Sequence, residues 1–154
     1  MSGDPAETAL SADARARLQN LAYTILSPSL GRRRRALIAH VAVDRALSSG
    51  GSAPGAPYPV LRERVVRRTL ATGRRRAVLA TRAAGRSRPG ATAPSARTEP
   101  ELAWLLPAAR AAYALRHLEG LDRNETLEVL ASAGVGDPAS AATLADRILT
   151  ETGP

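Results

Sequence analysis

From Pro107 to Leu149 the sequence is punctuated so closely that only short helices with tight turns fit it. Pro107 suits a helix start, because the first helical position has no use for a backbone N–H. Ala108 to Glu119 follows, with Leu115 and Leu118 on one face, and Gly120 ends it as a left-handed cap. Asp122-Arg123-Asn124-Glu125 has the form of a capping box, in which the first and last residues satisfy each other's backbone donors. It opens a second helix carrying Leu127 and Leu130. Ala133-Gly134-Val135-Gly136 makes a turn, and Asp137-Pro138 launches a third helix through Ile148 and Leu149. The last two helices form a helix-turn-helix candidate.

Upstream, three further segments show helical period. Leu18, Leu21, Ala22, Ile25 and Leu26 recur on one face, and Ser27-Pro28 stops them. Leu37, Ile38, Val41, Ala42 and Leu47 form a stripe beginning after Arg32-Arg33-Arg34-Arg35. Leu61, Val65, Val66, Thr69 and Leu70 lead into Gly73-Arg74-Arg75-Arg76 and then Val78-Leu79. No stretch alternates apolar and polar residues convincingly, so the expected fold class is all-α.

Charge divides the chain. Residues 1–98 hold 18 arginines against 5 acids, a net of +13, whereas residues 99–154 hold 4 against 9, a net of −5. The step coincides with a run of Ala, Gly, Ser, Pro and Arg from Ala83 to Pro100, which has too few large apolar groups to offset its ordering entropy. The expected organisation is a disordered tail over 1–11, a basic helical domain over 12–82, a flexible linker over 83–100, and a helix-turn-helix domain over 101–151. Ser48 to Pro59, rich in Gly, Ser and Pro, reads as a long loop inside the first domain.

Composition removes several function classes. There is no cysteine, hence no disulfide, no thiolate metal site and no thiol nucleophile. All 22 basic residues are arginine, so the lysine of a phosphate-binding Walker loop is missing. No apolar run approaches the roughly 18–20 residues that cross a bilayer, and the N-terminus has no apolar secretory core. A cytoplasmic setting follows. His40 and Asp44 share a helix face but lack a third ligand, and Gly134-Val135-Gly136 follows a helix where a dinucleotide fingerprint needs a strand. No enzyme activity, cofactor, metal or small-molecule substrate is expected. The net charge of +8 favours an anionic partner. A membrane surface is the weaker choice, because the arginine clusters lack a bulky apolar face.

Leu106-Pro107, then Leu115-Arg116-His117-Leu118-Glu119-Gly120-Leu121, then Glu125 and Val129-Leu130, together resemble the fourth conserved region of bacterial sigma factors. Arg33 to Leu47 and Tyr58 to Arg76 more loosely resemble the second region of that family. The plan of two helical bodies and a linker resembles its small extracytoplasmic-function type. The resemblance implies two partners, promoter DNA and RNA polymerase core, with a regulatory protein as a further one. It implies that Leu37, Ile38, Val41 and Asp44 face the polymerase. It also implies that Arg62, Arg64, Arg67, Arg68, Arg74, Arg75 and Arg76 contact DNA upstream of the start site. Ser140, Thr143 and Arg147 share one face of the last helix, where they would read base edges.

The departures from that family are specific. The last helix carries a single arginine, Arg147, among Asp137, Asp146 and Glu151, and its domain has the wrong sign for phosphate. The turn before it is about two residues longer than the family's phrase. No aromatic cluster stands in the second region, where Tyr58 is the nearest candidate and falls in the expected loop. An alternative follows from these departures: a sigma-derived adaptor that binds a protein through its acidic helix-turn-helix and nucleic acid non-specifically through its arginines. The promoter-binding reading requires the front arginines to form one contiguous cationic surface.

Overall fold

A computed structural model of the chain is all-α among the residues it describes. These are residues 5–48, 56–84 and 105–151, with the side chains of 12–48, 56–75, 105–148 and Thr150. Six helices follow in order: α1 (Pro5–Ile25), α2 (Arg32–Ser48), α3 (Tyr58–Ala84), α4 (Pro107–His117), α5 (Arg123–Ser132) and α6 (Pro138–Glu151). A single 3₁₀ turn, Pro28–Leu30, joins α1 to α2, with the Ser27 hydroxyl accepting from the Ser29 N–H.

The local signals of the back half take their expected forms. Asp122 and Glu125 make a complete capping box, with Glu125 N–H to Asp122 Oδ1 at 2.8 Å and Asp122 N–H to Glu125 Oε2 at 2.9 Å. At the other end of α5, Gly134 takes φ 79° and Val135 N–H returns to Leu130 O at 3.0 Å. Gly134 N–H bonds to Ala131 O at 2.9 Å, which completes a Schellman end. Gly120 is likewise left-handed at φ 67°. Asp137 caps α6 by accepting the Ser140 N–H at 2.9 Å.

Three boundaries upstream differ from expectation. α1 begins at Pro5, inside the stretch read as a tail, because alanine-rich sequence favours helix without an apolar stripe to announce it. α2 begins at Arg32, so the arginine run lies within the helix. Its first turn holds no acid, and the cations there oppose the helix dipole. α3 runs without interruption through Gly73 to Ala84, two residues into the expected linker, and Tyr58 is its first residue instead of a loop position. Pro59 is tolerated because it lies in the first turn. The rest of the expected linker, Trp104 and most of the expected loop lie outside the described residues.

Packing joins the two charge halves. Leu18, Leu21 and Ile25 of α1, Val43 of α2 and Val65 and Val66 of α3 are fully buried or nearly so. They share one apolar cluster with Leu115 of α4 and Leu130 of α5. Each such side chain stabilises the fold by roughly 1.5–3 kcal/mol relative to exposure. Where the charge step suggested two separate bodies, the described helices of both halves therefore fill one core. Alanines fill much of the remainder: Ala109, Ala111, Ala112 and Ala114 of α4 and Ala141, Ala142 and Ala145 of α6 are buried.

Candidate functional site

The face of α6 that the sequence singles out is open. Ser140, Thr143 and Arg147 are all exposed and recur at three- and four-residue spacing, which puts them on one side of the helix. Two arginines that sequence reading missed converge beside them. Arg123, the first residue of α5, reaches Asp146 Oδ2 at 2.5 Å and Thr143 Oγ1 at 3.2 Å. Arg116 near the end of α4 reaches Asp146 Oδ1 at 2.8 Å. Asp146 is thus neutralised by two cations from two other helices. These pairings span 20 to 30 residues, and no local spacing signals them.

The acids of the back half are largely committed to internal work. Asp122 and Glu125 cap α5, Asp137 caps α6, Asp146 is bridged, and Glu119 is buried with its side chain 1% exposed. Asp122, Glu125 and Asp137 stay exposed while they cap, whereas beside the outer face of α6 Asp146 is balanced by Arg116 and Arg123.

On α2, the residues expected to face a partner divide. Leu37 is 64% exposed and Val41 is exposed too, whereas Ile38 is half-buried against the core. Asp44 pairs with Arg15 of α1 and, at 3.2 Å, with His40, whose Nδ1 lies 2.9 Å from Gln19 Nε2. Leu37, Ile38, Val41 and Ala71 floor an open groove between α2 and α3, with Arg45, Arg68 and Arg75 on its rim. Among the described residues no group of three metal-ligating side chains forms.

Among the described residues the arginines of α3 divide among several surroundings. Arg62 is turned toward Glu119, with Nη1 3.9 Å from Oε2. Arg64 is half-buried, with Nη1 lacking a hydrogen-bond partner. Arg67 pairs with Glu63 at 2.6 Å, one turn away on the same helix. Arg68 and Arg75 face the α2 groove. Arg74 is exposed and donates to the carbonyl of Gly134 at 3.1 Å. The Arg76 side chain lies outside the described residues. The physical reason is helical geometry: neighbours in an arginine run point about 100° apart, so contiguity in sequence scatters them around the axis.

A polar cluster that the sequence did not signal joins the halves. Tyr58 donates through its hydroxyl to Glu119 Oε1 at 2.8 Å, and Arg17 Nη2 lies 3.6 Å from Glu119 Oε2. The Arg17 guanidinium also stands over the Tyr58 ring, 5.0 Å from its centre. Burial, with the hydrogen bond to Glu119 and its charge, pushes the Tyr58 hydroxyl well above the ordinary phenol range. The charges of Arg17 and Arg62 oppose that rise. No family model, curated protein or solved structure matches the chain.

Proposed function

We propose that the chain is a sigma-factor-like transcription protein, non-catalytic and cytoplasmic, that engages promoter DNA and RNA polymerase core. The observation that carries this reading is the exposed Ser140–Thr143–Arg147 face on the second helix of a helix-turn-helix whose two helices are both N-capped. Such a helix can enter a major groove and bring its side chains to base edges. The exposed Leu37 and Val41 on α2 supply an apolar surface for the polymerase, and Arg74 and Arg75 remain exposed as phosphate contacts. The test is capture of RNA polymerase core by the purified chain, followed by run-off transcription. Initiation from a defined start supports the proposal, and failure to bind core overturns it.

A second reading is favoured by the pairing of Arg62 and Arg67 with carboxylates, which takes cations away from a continuous DNA surface. In it the chain is a sigma-derived adaptor that binds a protein partner and touches nucleic acid without reading sequence. Capture of core without initiation selects this reading over the first.

A further inference from the structure

We propose that Arg17, Arg62 and Tyr58 form a binding site for a nucleic-acid phosphate that Glu119 fills as an internal competitor. The site deepens the nucleic-acid reading above and rests on it. Three donors from two helices of the basic half converge on one carboxylate of the acidic half: the Tyr58 hydroxyl at 2.8 Å, Arg17 at 3.6 Å and Arg62 at 3.9 Å.

The fit is incomplete in a way that suits a larger anion. Two guanidinium groups face a single negative charge. Glu119 Oε2 is buried without a hydrogen bond, although both arginines stand near it. Arg62 Nε is buried and lacks an acceptor too. A phosphate offers more acceptor oxygens than a carboxylate and accepts readily from the planar fork of arginine. A buried ion pair with unmet hydrogen bonds recovers little of its desolvation cost, so this one gives way to a better ligand.

The geometry also provides a route. Arg17 is half exposed, so an anion from solvent reaches it first. Glu119 belongs to no helix; it lies between α4 and α5, beside left-handed Gly120. Its withdrawal therefore moves a short connection, whose anchor is the Leu121 N–H to Leu115 carbonyl bond at the end of α4. The same placement explains why Arg62, expected as a DNA contact, is covered here.

The test measures binding of a fluorescein-labelled, mixed-sequence DNA duplex by anisotropy, with thermal melting as the check on folding. Glu119→Gln keeps an acceptor for the Tyr58 hydroxyl and removes the competing charge. Glu128→Gln, at an exposed position on α5, changes net charge equally and leaves the site alone. Glu119→Gln is expected to tighten binding about tenfold, and Glu128→Gln less than about twofold, as when a blocked site becomes available. Adding Arg17→Gln or Arg62→Gln to Glu119→Gln is expected to cancel the gain. Equal gains for Glu119→Gln and Glu128→Gln, or a gain that survives both arginine changes, would overturn the site and leave the nucleic-acid reading standing. Absence of binding by every variant at low salt would overturn both.

Discussion

Arg110 on α4 donates through Nε to the carbonyl oxygen of Ile25, the last residue of α1, at 2.9 Å. The two residues are 85 positions apart and come from opposite sides of the charge step. Arg35 on α2 does the same for Tyr23, donating to its carbonyl at 2.6 Å while lying over its ring. α1 has no basic residue in its own last turn, so two nearly buried arginines from other helices cap its C-terminal carbonyls. Burial, and then the charge of Arg35, lowers the pKa of Arg110.

Arg110→Ala is therefore expected to be among the costlier single changes. It leaves the carbonyl of Ile25 without this donor in a buried place and that of Leu105 without it in a part-buried one. A loss of about 2–4 kcal/mol is expected in urea unfolding. A loss below about 0.5 kcal/mol would show that the cap does not hold α1 to α4.

Leu37→Asp and Val41→Asp should separate stability from recognition. Both side chains are exposed, so the midpoint of thermal unfolding is expected to stay within about 2 °C of the parent protein. Under the proposed function, capture of RNA polymerase core is expected to fall by at least about tenfold, since a charge would enter a desolvated apolar contact. Undiminished capture would rule α2 out as the proposed polymerase contact.

Tyr58 should make the fold sensitive to alkali. Its folded pKa is raised, so the folded state holds the phenol proton more tightly than the unfolded chain does. That contribution is complete below the unfolded value near 10 and is lost as pH rises above it. Urea unfolding between about pH 8 and pH 11 is expected to show a steeper decline for the parent protein than for Tyr58→Phe. Parallel declines would assign the alkaline loss to other groups.

Arg74→Ala with Arg75→Ala should flatten the salt dependence of DNA binding. If both meet phosphates, the log–log slope of affinity against salt shrinks by about two units. Arg67→Ala, whose partner is Glu63, is expected to change that slope by less than about half a unit. An equal effect from Arg67 would mean that its ion pair opens at no cost.

The back half was the more legible in sequence because its information is local. A capping box, a Schellman glycine and an Asp-Pro start act over three or four residues, and each takes its expected place at Asp122, Gly134 and Asp137. The limits of α1 and α3 were harder to read. Ala- and Arg-rich sequence propagates helix without marking its ends, and Gly73 stands inside α3 without ending it. The exposed face of α6 was readable from periodicity, but the convergence of Arg116 and Arg123 on Asp146 was not. The Tyr58–Glu119 contact was equally hidden. Both depend on how distant helices pack, and neither has a signature in nearby residues.

The alanines that line α4 have a mechanical consequence. No aromatic side chain is fully buried among the described residues, so this interior is filled by bringing helix backbones close together. A wall built so thinly has no slack. Enlarging Ala111 or Ala112 by two methyl groups would shift α4 bodily, and α6 rides on it. Sequence drift on this inner lining would thus be felt at Ser140 and Arg147, while drift on the outer sides of the same helices would pass unnoticed.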